Sequence, residues 1–230
     1  MAAKTKALTA ETFQFFRELG RNNNKPWMDA NRERYQACVV QPFRALLEQL
    51  SPAAAKLDPN VYVTGRSGDN FSRINRDIRF ARDKTPYKTQ MYVLFRTQQA
   101  RQNGGATLYV GASTDGATAG FRNYFEGKES GLARVGVARG MKHGAWLEKH
   151  RKRLGRKYES YWYSSEKNDW IKHSGWPLRP EEWKKLKAWI VRKKFSVASA
   201  TRPNFASEAA KVFRDVLALY HFTESAKWKP

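Results

Sequence analysis

Met91-Tyr92-Val93-Leu94-Phe95 puts Met91, Val93 and Phe95 on one side of an extended chain and Tyr92 and Leu94 on the other. Further on, Leu108-Tyr109-Val110 and the run from Gly120-Phe121 through Phe125 are short, aromatic and β-branched. Gly104-Gly105 and Thr114-Asp115-Gly116 separate these runs as turns. The spacing predicts a mainly antiparallel sheet of four or five strands, beginning near Val61.

The flanks read differently. Upstream, Thr9 caps a helix over Glu11–Leu19, where Phe13, Phe16 and Leu19 recur at helical spacing, and Gly20 stops it. Pro26 opens a second helix carrying Trp27, Asn31 and Tyr35. Pro42 kinks or restarts it, and Phe43, Leu46, Leu47 and Leu50 supply the apolar stripe. Ser51-Pro52 and Asp58-Pro59 close this helical opening. Downstream, Pro180-Glu181-Glu182 is a favourable first helical turn, with Trp183, Leu186 and Ile190 as its stripe. Ser207 caps a last helix with Val212, Phe213, Val216, Leu219 and Tyr220 inward. Helices, then sheet, then helices gives an α+β class. A tail over 1–8 followed by a single domain over 9–230 is expected, since 230 residues suffice for one sizeable core.

Composition narrows the function. The 41% hydrophobic and 13% aromatic content belongs to a folded chain. No stretch reaches the ~20 apolar residues of a membrane span. One cysteine, Cys38, excludes an internal disulfide framework and a multi-cysteine metal site, and a cytoplasmic setting is expected. The four histidines, among them His143 and His150, show no metal spacing, and no glycine-rich nucleotide loop is present, so no metal and no cofactor are expected. Forty-three Lys and Arg against 21 Asp and Glu give +22, which points to a polyanionic partner. Residues 1–100 contribute +8 and residues 101–230 contribute +14, with eight cations and one acid, Glu148, between Arg139 and Lys157. Behind that stretch come Tyr158, Tyr161, Trp162, Tyr163, Trp170 and Trp176. Cations interleaved with rings suit single-stranded nucleic acid, the charges tracking phosphates and the rings stacking bases.

Phe71–Lys88 carries Arg73, Arg76, Arg79 and Arg82 every third residue, then Lys84 and Lys88. As a helix the segment puts Phe71, Ile74, Ile78 and Ala81 on one face. As a strand it points Ile74, Ile78 and Phe80 inward with Arg76 against the alternation. The turn signal Asp83-Lys84-Thr85-Pro86 favours a strand ending near Phe80 with a loop running into the next strand. The candidate anion site is Arg76, Asp77, Arg79, Arg82, Lys84, Tyr87 and Lys88, with Asn23, Lys25 and Trp27 as secondary candidates. Arginine suits bidentate grip on phosphate or carboxylate, Asp77 orients its neighbours, and Lys84 acts as a point charge. The competing reading pairs Asp77 and Asp83 with Arg76 and Arg79 in a network that only holds a loop. Asn22-Asn23-Asn24 reads equally as a capped turn between helices.

Two motifs together resemble a known family. Phe15-Phe16-x-x-Leu19-x-x-Asn22-Asn23-x-Lys25-x-Trp27, with Asn31 and Tyr35, precedes Arg76-Asp77-x-Arg79-Phe80-x-x-Asp83-Lys84-x-Pro86-Tyr87-Lys88. The pattern is similar to the microbial family called domain of unknown function 2461, most closely over Thr12–Arg96. The resemblance implies a cytoplasmic α+β domain with the Arg76–Lys88 segment at the centre of any site, and it supplies no activity. Residues from about Gly136 to Trp176 depart from the family pattern.

The leading expectation is a binding protein for RNA or DNA, held by the Arg/Lys cluster and assisted by the later basic stretch, with affinity that falls as salt rises. The alternative is an enzyme on a small phosphorylated or carboxylated substrate, with Asp77, Lys84 or Tyr87 moving a proton. A third reading makes the motif a salt-bridged determinant of the fold. The oligomeric state is left open.

Overall fold

A computed structural model describes residues 7–79, 81–125, 131–166, 169–224 and 228–229, with side chains of 131–133 not described. Of the expected tail, residues 1–6 lie outside that range, whereas Ala7 and Leu8 are buried.

The N-terminal layer is helical. Helix α1 (Ala10–Arg21) buries Phe13, Phe15, Phe16 and Leu19. Asn24 caps α2 (Lys25–Ala30) by accepting the Trp27 N–H at 2.9 Å. A short α3 (Arg32–Tyr35) runs through a π turn (Gln36–Val40) into α4 (Gln41–Leu57). Pro42 explains the π turn. It lacks the N–H that the Cys38 carbonyl needs, and its ring crowds that carbonyl. The wider turn relieves the clash, and the Thr12 hydroxyl donates to the Cys38 oxygen at 2.7 Å instead. Burial pushes the Cys38 thiol up to about 11. Pro52 does not end the helix as expected; α4 continues to Leu57 and stops at Asp58. Ala54, beyond the proline, is fully buried, so packing outweighs the cost of the proline.

The sheet has six antiparallel strands in the order β1-β2-β3-β6-β4-β5. They are β1 (Gln90–Phe95), β2 (Ala106–Ser113), β3 (Gly116–Tyr124), β4 (Glu159–Glu166), β5 (Asp169–Ser174) and β6 (Leu186–Ser196). Helix α5 (Gln98–Asn103) links β1 to β2. Helices α6 (Gly131–Lys142) and α7 (Gly144–Leu154) precede β4, and α8 (Pro180–Lys185) precedes β6. After α9 (Val197–Ala200), α10 (Phe205–Glu224) packs on β2, β3, α4 and α6. The last helix therefore starts before Ser207, which lies within it.

The α+β class holds: N-terminal helices, a central antiparallel sheet and a C-terminal helix. Two expectations inside it do not. The helix at Pro180 ends at Lys185, and Leu186 and Ile190 belong to β6. β6 lies between β3 and β4, where Trp189 and Val191 point into one apolar layer and Ala188 and Ile190 into another. Burial on both faces hides the alternation of a strand. Nor is Phe71–Arg79 a regular strand, and Phe80 lies outside the described residues. Only isolated bridges at Phe71 and Asn75 join it to the chain leading into and along β1. The Asn70 carboxamide explains the irregularity. It accepts from the N–H groups of Thr64 and Gly65 and donates to the carbonyls of Tyr62 and Leu94, taking backbone groups a ladder would use.

The main core lies between the sheet and the helices and runs from Ala7 to Phe222. At its edge the Tyr220 hydroxyl donates to Asp58 at 2.7 Å. Glu224 accepts from the Ala106 N–H at 3.0 Å and the Thr97 hydroxyl at 2.9 Å. Among the described residues no helix is long and apolar enough to cross a membrane.

Candidate nucleic-acid interface

The two sequence motifs meet. Residues 70–76 and 86–94 form the arms of an irregular hairpin: the Arg76 N–H donates to the Pro86 carbonyl and the Lys88 N–H to the Ile74 carbonyl, each at 2.8 Å. The Asn23 carboxamide clamps one arm, donating to the Tyr87 carbonyl at 2.9 Å and accepting the Tyr87 N–H at 3.0 Å. Lys25 pairs with Asp29, and the Trp27 ring packs 5.4 Å from Phe15. Asn23 thus ties the α1–α2 turn to the hairpin and Trp27 packs against the core, whereas Lys25 makes only an exposed pair within α2.

The hairpin tip is tied internally. Arg79 grips Asp77 with two bonds of 2.7 and 3.0 Å, which hold the Asp77 carboxyl below its usual range. Arg76 pairs with Asp83 and donates to the Thr85 hydroxyl at 2.6 Å. The Thr85 N–H bonded to Asp83, then Arg76, lowers the Asp83 carboxyl to about 2. The Lys84 ammonium donates to the Ile78 carbonyl at 3.0 Å, Arg82 is exposed, Lys88 is half-buried, and Tyr87 is buried. The ion pairs of the loop-holding reading are therefore all present, and Arg79, Arg82 and Lys84 still face solvent.

The face of the sheet opposite the main core has a separate apolar floor of Leu94, Tyr109, Ala188 and Ile190. Tyr92, Tyr124, Tyr161 and Tyr163 pack on that floor, and among the described residues no helix joins the cluster. Glycine makes room for one ring, because a Cβ on Gly111 would collide with Tyr92. At the far edge Trp170, 45% exposed, lies 5.7 Å from Tyr163 and 6.3 Å from Tyr124.

Cations are threaded through these rings. The Arg122 guanidinium lies 5.4, 5.5 and 5.4 Å from Tyr92, Tyr109 and Tyr124. Arg192 and Lys172 lie 4.9 and 4.3 Å from the Tyr161 ring. The Nε atoms of Arg96 and Arg122 are buried with no hydrogen-bond partner among the described residues. Burial, and then the neighbouring charges of Arg122 and Arg101, push the Arg96 pKa down. Glu159 is an acid on this face, and Arg192 and Lys194 already share it at 2.7 and 3.2 Å. Burial pushes the Tyr161 phenol up to about 12, so it stays neutral. The face is an aromatic layer with surplus positive charge.

The Arg139–Lys157 stretch does not adjoin this face. It occupies α6, α7 and the turn after them, with Leu147 and Leu154 in the main core. Arg139 donates to the Phe222 carbonyl at 3.0 Å, Arg151 pairs with Glu148, and Arg153 donates to the Asp215 carbonyl at 2.8 Å. Of the aromatics behind it, Tyr161, Tyr163 and Trp170 reach the open face. Trp162 and Trp176 join the main core, and the Tyr158 hydroxyl donates to Asp215. The residues missed in the sequence are Tyr92, Tyr109, Tyr124, Arg122 and Arg192, which share a face only once the strands pair. The alternation Tyr161-Trp162-Tyr163 was the available signal.

A cavity of about 610 Å3 lies on the other side of β4 and β5, against α8. Within it the His173 ring stacks on Trp162 at 4.0 Å, and His173 Nε2 lies 2.8 Å from the Ser164 hydroxyl. Ser164 lines this cavity although it is only 1% exposed. Among the described residues no three His, Cys, Asp or Glu side chains are grouped to hold a metal ion.

Comparison with curated proteins gives no match. The model of a conserved hypothetical protein family, domain of unknown function 2461 (DUF2461), matches residues 11–222, and so takes in both motifs, the hairpin they build and all six strands. The chain belongs to that family.

Proposed function

We propose that the protein binds single-stranded nucleic acid across the open face of its sheet. The observation that carries this reading is a face with four part-exposed tyrosines and one exposed tryptophan over the buried Tyr109, threaded by Arg122, Arg192 and Lys172, with Glu159 as an acid already shared by two cations. Bases stack on rings whatever their identity, and phosphates take the surplus charge. The overall +22 adds long-range attraction.

We take the hairpin tip as a second contact beyond the edge of that face. Its arms run on from the Gln90 end of β1, the end at which Ser113, Gly116 and Ser196 align across β2, β3 and β6. In this reading a strand that runs off that end of the sheet reaches the exposed Arg79, Arg82 and Lys84. In this reading the Arg76–Asp83 and Asp77–Arg79 pairs shape the tip, and its exposed cations contact phosphate. A cytoplasmic setting, expected from the lone cysteine, suits such a partner.

Fluorescence anisotropy of a labelled oligouridylate tests the reading. Neutralising about five phosphates gives a log–log salt slope near −3.5, a loss of roughly a hundredfold between 50 and 200 mM salt. Trp170→Ala and Tyr163→Ala each weaken binding about 5- to 100-fold, the range of one lost stacking contact. Binding that both variants leave unchanged would move the contact off this face.

A further inference from the structure

A second cavity, of about 370 Å3, lies between the π turn and the 65–75 segment. Its walls differ from those of the open face. Val40, Phe71, Ile74 and Met91 give it an apolar side. Arg44 and Arg73 line it with Gln36, Ser67 and Asn75, and no Asp or Glu does among the described residues. Among the described residues neither arginine has an ion pair, and the side chains of Gln36, Ser67 and Asn75 make no hydrogen bond; all five side chains are open to solvent at the rim. The Ser72 hydroxyl accepts the Tyr92 N–H at 2.9 Å and keeps its own proton to donate.

The walls are fixed without help from a ligand. Asn70 knots the loop by its four backbone contacts, and Gly65 and Gly68 take positive φ of 69° and 86°. Gly68 also leaves the space beside which the Arg73 guanidinium lies. On the other wall the π turn is pinned by the Thr12 hydroxyl, and such turns recur at functional sites. Braced walls, an apolar side and exposed donors with no acid among the described lining residues suit a small-ligand site, and the volume lies in the usual range.

We propose that this cavity binds a small organic anion, with Arg44 and Arg73 gripping a carboxylate or phosphate group and the apolar wall receiving an aromatic or aliphatic body. The site is independent of the open sheet face. Two guanidinium groups without acids accept an anion at little cost, because no ion pair has to break first.

Phenyl phosphate and benzoate are the probes, with inorganic phosphate and benzyl alcohol as the single-feature controls. Titrations followed by methyl NMR of the whole protein read both affinity and place. At least one of the two probes saturates, shifts the Met91 and Ile74 methyl signals, and binds at least tenfold tighter than either control. Arg44→Ala and Arg73→Ala each weaken that probe at least tenfold, while Lys56→Ala on the exposed side of α4 does not. The urea midpoints of both arginine variants stay at the wild-type value, since neither side chain holds a bond in the fold. Trp170→Ala leaves probe binding unchanged, which separates this site from the nucleic-acid reading. Absence of saturation by both probes, equal binding of inorganic phosphate, or affinities indifferent to Arg44 and Arg73 would each overturn the proposal.

Discussion

Replacing Asn23 by alanine removes the clamp between the helical layer and the hairpin. Two hydrogen bonds disappear at once, the 2.9 Å donation to the Tyr87 carbonyl and the 3.0 Å bond from the Tyr87 N–H. Each is worth about 1 kcal/mol net, and leaving the backbone of a buried residue unpaired adds to that. Tyr87 is only 8% exposed, so water replaces the lost partners poorly. The expected loss is about 2–3 kcal/mol. For a chain of 230 residues that lowers Tm by roughly 4–12 °C, at about 2–4 °C per kcal/mol. Urea unfolding is the assay, with a lower midpoint and an unchanged slope as the expected pattern. Asn23→Asp keeps the acceptor and loses the donor, so it falls between wild type and alanine. Amide exchange at Tyr87 and Lys88 accelerates in step. A midpoint for Asn23→Ala within about 0.5 kcal/mol of wild type, with exchange at Tyr87 unchanged, would refute the clamp.

Other perturbations probe separate parts of the account. Gly111→Val drives a side chain into the place of the Tyr92 ring; overpacking costs about 1–3 kcal/mol, read by urea unfolding, and oligouridylate affinity falls with the displaced ring. Burial raises the Glu224 carboxyl from 4.5 to about 7, against the bonds from Ala106 and Thr97. The folded state therefore holds a proton that the unfolded chain releases, and stability falls as pH rises from about 4.5 to 7, by up to about 3 kcal/mol. Glu224→Gln flattens that slope, which thermal unfolding across pH 4–8 reads. Thr12→Val leaves the Cys38 carbonyl without its donor beside Pro42 and costs about 1–3 kcal/mol, again read by urea unfolding.

The sequence announces some elements more clearly than others, for physical reasons. β1 to β3 alternate in hydrophobicity and are divided by glycine-bearing turns, so they are legible as strands. The Leu186–Val191 half of β6 is not, because a strand flanked on both edges and packed on both faces has no polar side there to mark its period. Pro180 and its two glutamates launch a genuine helix, and Leu186 and Ile190 happen to fall at helical spacing from Trp183. The Asn23 and Arg76–Lys88 motifs stand out as sequence, but their meeting is set 64 positions apart by a backbone contact that no local pattern encodes. The open face is harder still. Its tyrosines come one or two from each of four strands, and only the strand order brings Tyr92 and Tyr109 beside Arg122. The place of the basic stretch is not legible for the opposite reason: its charge is concentrated in sequence, yet helices α6 and α7 hold it apart from Tyr161, Tyr163 and Trp170.

The most direct test of the central claim is the affinity of labelled oligouridylate for wild type and for the double variant Trp170→Ala/Lys172→Ala at 50 and 200 mM salt. Both side chains lie at the open edge of the sheet, and neither is buried. Wild type binds with the steep salt dependence given above, and the double variant loses at least tenfold at either salt with its urea midpoint intact. Equal affinity of the two proteins, or binding indifferent to salt, would contradict the assignment of the face to nucleic acid.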